Sequence, residues 1–352
     1  MRKITLHPSG REVDCRDGDT VLQALEKAGY ALPNNCRAGA CGECKVRVRD
    51  GQFDQGTVLD MALSPEERKA GVGLMCMAKP ISPELVIEWG TDDAQPRLFP
   101  PRENVSFVVI DRIPRTPRIL ELVLRPVAQP LRFWPGQYVM VGGGRASLPD
   151  RPYSIASAPQ ADGSLSLQVT RVEGGATSCW LHDGVKPGDL VRLSGPYGTF
   201  IGDPSVETPV LCLAAGSGLA PILALTEAAL RRGFEHKVTL MFSARQLEDV
   251  YDQGLMAYWQ IKHRNFRFVP TLTREKKPGM RSGRIPDLLP ALFPDLAPFS
   301  VFIAGTPEFV DACKEAVRNL GAAPERIHTE GFFPRQAPRT VAADHLAPGL
   351  GA

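Results

Sequence analysis

The chain lacks a dominant charge. Its 352 residues carry 41 basic and 39 acidic side chains, a formal net charge of +2. That balance leaves no electrostatic footprint for nucleic acid or an anionic membrane, and neither is expected as a partner. It also lacks a long apolar run. The most apolar stretch, 210–230, is broken by Gly216-Ser217-Gly218 and Pro221. It therefore reads as strand, turn and helix rather than a membrane span, which needs about 20 apolar residues. The opening Met1-Arg2-Lys3-Ile4-Thr5-Leu6-His7 has no apolar core of the kind a secretory leader needs. A soluble, cytoplasmic monomer is the expectation, and a disulfide framework is not. At 43% hydrophobic and 23% charged the composition is that of an ordinary globular protein. The length suits two or three domains of about 150 residues.

What is present is an uneven distribution of eight cysteines. Four follow the pattern Cys36-x4-Cys41-x2-Cys44, with Cys76 further on. Three thiolates from one tight loop and a fourth from a distant segment suit a [2Fe–2S] cluster. Gly39, Ala40 and Gly42 between the ligands let backbone N–H groups turn toward the inorganic sulfides. Structural zinc usually takes paired C-x2-C units, of which only one is present. Cys15, Cys179, Cys212 and Cys313 are isolated and read as small buried hydrophobes.

Around this loop, Ile4–Leu6 and Glu12–Cys15 flank Pro8-Ser9-Gly10 as a hairpin. Asp19 is predicted to cap a helix running through Leu25 and ended by Gly29, and Ser64-x-x-Glu67 is a capping box opening a short helix. Residues 1–90 resemble the plant-type ferredoxin family, which implies a β-grasp fold. With 12 basic against 13 acidic residues this segment lacks the acidity of free-standing plant ferredoxins. That suits a covalently attached electron donor.

Residues 91–104 are rich in proline and charge and read as a linker. Short apolar runs follow at 105–110, 119–124, 138–141, 164–169 and 190–194. Turns such as Trp134-Pro135-Gly136 separate them, and the pattern predicts an antiparallel barrel over 105–203. Within it stands Arg151-Pro152-Tyr153-Ser154, and downstream Gly174-Gly175-Ala176-Thr177-Ser178 precedes a helix-like run. Arg151 offers a planar fork for a pyrophosphate, and a glycine turn with Ser178 at a helix start offers an anion site. Taken singly, Arg151 reads equally as an ion-paired strand residue and Ser178 as an ordinary N-cap.

From 204 to 334 the rhythm alternates between strand and helix, with strands at 210–214, 238–242, 266–271 and 301–304. Thr306 and Pro307 are the N-cap and first residue of a late helix. This predicts a parallel sheet with a ligand crevice at its strand ends. Gly216-x-Gly218-x-x-Pro221 is a weak dinucleotide signal by itself.

The order of these motifs is what carries meaning. R-x-Y-S, G-x-x-S, Gly195-Pro196-Tyr197-Gly198, the glycine turn, Ala304-Gly305-Thr306 and Glu330-Gly331-Phe332-Phe333 together resemble the ferredoxin-NADP reductase superfamily. With the ferredoxin segment, residues 1–334 resemble the reductase components of bacterial multicomponent oxygenases. The fold class implied is multidomain α+β and α/β: β-grasp ferredoxin, antiparallel β-barrel flavin domain and parallel-sheet nicotinamide-nucleotide domain. The tail 335–352 is expected to be flexible.

The resemblance implies that Cys36, Cys41, Cys44 and Cys76 hold the cluster. Arg151, Pro152, Tyr153, Ser154, Gly174, Gly175 and Ser178 would hold FAD, with Ser154 near flavin N5. Gly216, Gly218, Pro221, Arg245 and Gly305 would shape the nicotinamide-nucleotide site. Phe332 would cover the flavin, and Glu330 would position or protonate the system. Where the family has Cys-Gly-Pro this chain has Ala304-Gly305-Thr306, which removes a sulfur near the nicotinamide. NADH is favoured as donor, with NADPH open because Arg245 offers a partner for a 2′-phosphate. The acceptor implied is a terminal oxygenase component or its ferredoxin. Two alternatives remain at this level: the same electron chain serving a deoxysugar dehydratase, or a ferredoxin carrier joined to a regulatory nucleotide-binding module.

Overall fold

The computed structural model describes residues 1–92, 94–142, 148–203, 207–278 and 280–333; the segment 335–352, read as a tail, lies outside them. The first sheet is mixed and has five strands. Arg2–His7 pairs antiparallel with Arg11–Cys15 and parallel with Glu84–Glu88, and Lys45–Asp50 and Val72–Leu74 complete it. Alternation buries Ile4 and Leu6 against Val21, Leu22 and Leu25 of the helix Val21–Lys27. That helix is capped by Thr20, not by Asp19 as the sequence suggested. The Thr20 hydroxyl accepts from the Gln23 amide and the Gln23 side chain returns the bond, while Asp19 pairs with Lys27 at 2.7 Å. The box at Ser64 and Glu67 forms as expected and opens Pro65–Lys69.

The stretch read as a linker is partly built into the structure. Leu98 is buried, its N–H donates to the Gly29 carbonyl, and Phe99 stacks on Trp134. The first barrel strand starts at Arg102 and runs to Pro114. Six antiparallel strands form the second sheet, and a bridge between Ile155 and Leu167 joins its two ends into a near-closed barrel. Arg151–Ser154 is one of those end strands, which is where a proline such as Pro152 is tolerated, having no N–H for a second neighbour. Phe107, Leu122, Leu124, Val139 and Leu167 fill its interior.

The third sheet is parallel, with strands Arg281–Ser282, Phe266–Leu272, Val238–Ala244, Val210–Ala215, Ser300–Gly305 and Ile327–Gly331 in spatial order. Strand order reverses at Val210–Ala215: the chain first builds outward on one side, then returns to add Ser300–Gly305 on the other. A ligand crevice is expected at the carboxyl end of such a switch point. Helices Leu219–Arg231 and Pro307–Asn319 cover its faces, and separate apolar clusters lie on each side. Among the described residues no helix is long and apolar enough to cross a membrane.

Candidate functional site

Three constellations lie along this frame. At the first, Cys36, Cys44 and Cys76 are buried and Cys41 is half-buried. No three metal-ligating side chains among the described residues converge on one point as a single-metal centre requires. The thiols form two pairs instead, Cys36 with Cys41 and Cys44 with Cys76. Two irons taking two thiolates each need that division. Within each pair one thiol donates a hydrogen bond to the other and keeps its proton. Cys36 is pulled down to about 5 by the hydrogen bond from Cys41, and Cys76 is lowered by Cys44, whereas Cys41 and Cys44 are pushed up. The Ala38 and Ala40 N–H groups approach the Cys36 sulfur at 3.4 and 3.3 Å, the inward-turned backbone expected of the small residues in this loop. These residues fit a [2Fe–2S] cluster.

The second constellation is on the barrel. Tyr138–Val141 pairs with Arg151–Ser154 on one side and with the strand reaching Tyr197 on the other. The Thr177 hydroxyl donates to the Pro149 carbonyl at 2.6 Å, which ties the glycine turn beside Arg151. Helix Ala176–Cys179 has Gly175 as its N-cap, so Ser178 lies in its first turn rather than at the cap. The Ser178 hydroxyl is spent on the turn itself, accepting from the Val172 N–H at 3.2 Å and donating to the Gly175 carbonyl at 3.1 Å. A Cβ at Gly175 would meet that oxygen at 2.7 Å, while the space beside Gly174, at φ +69, is open. The turn thus presents backbone N–H groups beside an open face, which suits an anionic phosphate. Tyr153 and Arg151 are half-buried, and burial pushes the Tyr153 phenol upward, keeping it neutral.

The third is the crevice of the parallel sheet. Gly218 packs so closely that a Cβ would lie 2.1 Å from the Ala304 carbonyl oxygen, so the Gly216–Gly218 and Ala304–Gly305 turns lie side by side. Beside Gly216, at φ +56, nothing would meet a Cβ within 4 Å. Thr306 caps the next helix with Pro307 in its first turn. Pro221 is buried in the first turn of Leu219–Arg231, and Arg245 is exposed just past Val238–Ala244. Open space above paired helix starts fits a dinucleotide pyrophosphate. There are also two cavities, of 560 and 730 Å³; the first is lined by Val210, Val238 and Ser300, where the parallel strands begin, and the second by Asn35 and Glu43 of the cluster loop, Phe200 and Thr329.

Glu330 and Phe332 close the last strand. The Phe332 N–H donates to the Gly305 carbonyl at 2.9 Å. Phe332 and Phe333 are both half-buried, so neither is a deep core anchor. Glu330 is buried, and desolvation pushes its carboxyl up to about 8.

Sequence reasoning missed the residues that join these constellations. The side chains of Asn35 and Arg37, on either side of Cys36, leave the ferredoxin sheet. Asn35 bonds to Gly331, and Arg37 holds Glu26 in a two-pronged ion pair and sits 4.9 Å from the Tyr197 ring centre. It also missed Gln168, Tyr251 and Asp252. The polar Ser166-x-Gln168 face of an otherwise apolar strand was the one available signal, and period-two alternation reads such a face as solvent-facing.

Comparison with known proteins agrees with this order. A 2Fe-2S iron-sulfur cluster binding domain matches residues 4–80, an oxidoreductase FAD-binding domain 105–201 and an oxidoreductase NAD-binding domain 212–315. The reductase subunit of an aromatic O-demethylase from Amycolatopsis is 37% identical over 92% of this chain and 97% of its own length. The reductase component of phenol 2-monooxygenase from Pseudomonas is 35% identical over 77% of this chain and 76% of its own. Among solved structures, an Amycolatopsis cytochrome P450 reductase superposes with TM-score 0.86 at 34% identity, covering 95% of this chain and 99% of that one. The cluster, FAD and NAD(H) are accordingly the cofactors of an iron–sulfur flavoprotein oxidoreductase. The chain belongs to the family of reductase components of oxygenase systems, in which a 2Fe-2S domain precedes an FAD-binding and an NAD-binding domain.

Proposed function

We propose that this chain takes electrons from NADH and delivers them to a terminal oxygenase component or to its ferredoxin, as a soluble, cytoplasmic monomer. FAD, when bound, accepts electrons as a pair and releases them singly, and the cluster relays one at a time. The chain's own residues supply position. Arg151, Pro152, Tyr153, Ser154 and the Gly174-Gly175 turn would cradle FAD, with Ser178 acting through the turn it closes. Gly216, Gly218, Pro221, Arg245 and Gly305 would receive the dinucleotide, and Phe332 would cover the flavin and exclude water until the nicotinamide enters. Glu330, uncharged at neutral pH, would offer a proton at its carboxyl beside that entry.

One observation supports this reading above the others. The residues on both sides of Cys36 attach the cluster loop to the other two sheets, Arg37 to the barrel and Asn35 to the nicotinamide sheet. A carrier with a merely regulatory nucleotide module would need no such convergence. The acceptor is proposed as an oxygenase because relatives serve an aromatic O-demethylase, a phenol monooxygenase and a naphthalene dioxygenase system. Anaerobic NADH should bleach both the flavin and the cluster, and the bleached protein should then reduce an oxygenase component. Bleaching of neither would refute the electron path. Bleaching without any oxygenase acceptor would return the dehydratase alternative. A kcat/KM that favours NADPH would reverse the coenzyme assignment.

A further inference from the structure

A closed polar network crosses the boundary between the barrel and the parallel sheet. The Arg115 guanidinium donates to Glu121 at 2.9 Å and pairs with Asp252 at 3.0 Å. The Gln168 amide nitrogen donates to Asp252 at 3.0 Å and to Glu121 at 3.3 Å. Both its protons being committed to carboxylates, the Gln168 carbonyl oxygen must face the other way, and there the Tyr251 hydroxyl lies at 3.1 Å. That hydroxyl is also 3.0 Å from the carbonyl oxygen of Gly216. Gln168 and Tyr251 are each 3% exposed, so water does not compete for these groups.

The Gly216 carbonyl already accepts from the Leu219 N–H, and the single phenolic proton of Tyr251 is shared between Gly216 and the Gln168 carbonyl oxygen as a three-centre bond. Because a peptide is planar and trans, its carbonyl and the following N–H point in opposite directions. Holding the Gly216 oxygen inward therefore turns the Ser217 N–H outward, to the side where Gly216 is open. Gly216 is at φ +56 with no side chain to resist rotation, so this peptide needs an external hold.

We propose that Tyr251 is a positioning residue for the dinucleotide: it orients the Gly216–Ser217 peptide so that the Ser217 N–H faces the pyrophosphate, and the Gln168 carbonyl of the barrel competes for the same phenolic proton. NAD(H) affinity is then tuned by a residue of the flavin barrel, because Gln168 draws on the same proton that holds the nucleotide turn. The inference deepens the reading of the Gly216 turn as the dinucleotide site and rests on it.

The test uses the holoprotein, with flavin and iron contents matched, titrated with NAD⁺ by calorimetry. Tyr251→Phe removes only the hydroxyl. It should weaken NAD⁺ about three- to tenfold, the range for one net hydrogen bond, and raise KM for NADH with kcat little changed. Gln168→Leu leaves the whole proton to Gly216 and should hold or tighten NAD⁺ binding, and the double variant should match Tyr251→Phe, since Gln168 acts only through that hydroxyl. Unchanged NAD⁺ affinity in Tyr251→Phe would overturn the proposal, as would a Gln168→Leu protein that binds NAD⁺ as weakly as Tyr251→Phe does. Failure of the wild-type protein to bind NAD⁺ would refute the underlying site assignment instead.

Discussion

Asn35, the residue before Cys36, bonds through its side-chain amide to both backbone groups of Gly331. It donates to the carbonyl at 2.8 Å and accepts from the N–H at 2.9 Å. Gly331 belongs to the outermost strand of the parallel sheet, whose other edge is registered with Gly305. A side chain of the cluster loop thus supplies the pairing that a further strand would have given, and satisfies an edge that would otherwise need solvent.

Asn35→Ala should loosen that edge. Leaving the two buried Gly331 groups without their partner costs about 1–3 kcal/mol. Faster amide exchange at Gly331 and slower passage of electrons from flavin to cluster in stopped flow should accompany it, with NADH-driven flavin bleaching kept. Unaltered exchange at Gly331 would refute the contact.

Gly218→Ala should damage the dinucleotide site. A methyl placed 2.1 Å from the Ala304 carbonyl oxygen meets the Ala304–Gly305 backbone, which has no flexible side chain to yield. Forcing the two turns apart should cost on the order of 1–3 kcal/mol of stability and raise the NADH KM while flavin content stays full. Comparison with Gly216→Ala is instructive, since there the space is open and the cost is conformational, from φ +56.

Glu330 gives a pH dependence whose sign is set by burial. Its folded-state value of about 8 lies above the ordinary 4.5, so the folded protein holds this proton more tightly than the unfolded chain does. The resulting stabilisation is complete below pH 4.5 and is lost as pH rises through 8, at up to about 1.4 kcal/mol per pH unit. Glu330→Gln should flatten that part of the curve and leave the variant the more stable of the two above pH 8. Parallel melting curves for the two proteins across this range would refute the shift.

Cys41→Ser should remove the cluster and spare the flavin. A hydroxyl is a poor match for iron beside three thiolates. Iron should fall from about two per chain toward none. Cytochrome c reduction should be lost while NADH still reduces a dye that accepts directly from flavin. Loss of both activities with FAD retained would mean the electron order is wrong.

The strand at 138–141 was read from the sequence with the bounds the structure has, because its apolar run sits between firm turn signals. Cys36, Cys41 and Cys44 were grouped by local spacing, whereas Cys76 is distant in the chain and the fold brings it beside Cys44. Two caps show the limit of local signals. Asp19 and Thr20 are both good N-caps, and only the placement of Gln23 decides for Thr20. Ser178 looked like a phosphate ligand at a helix start, yet the N-cap is Gly175, three residues earlier, and the hydroxyl closes its own turn.

The chain by itself determined which chemistry it can carry: cysteines at cluster spacing, glycines where a turn needs positive φ or close approach, and strands and helices in an order that builds three sheets. These are properties of neighbours in sequence, governed by φ, side-chain periodicity and ligand count. Only the tertiary structure decided how the three parts are joined. Asn35 and Gly331, like Gln168 and Tyr251, are far apart in the chain; Gln168 is polar on a strand face that alternation assigns to water, and Asn35 and Tyr251 lie in irregular segments with no periodicity to read. What covers them is another sheet. Burial then turns an ordinary amide into a fixed hydrogen-bonding partner, because a buried polar group without one is costly.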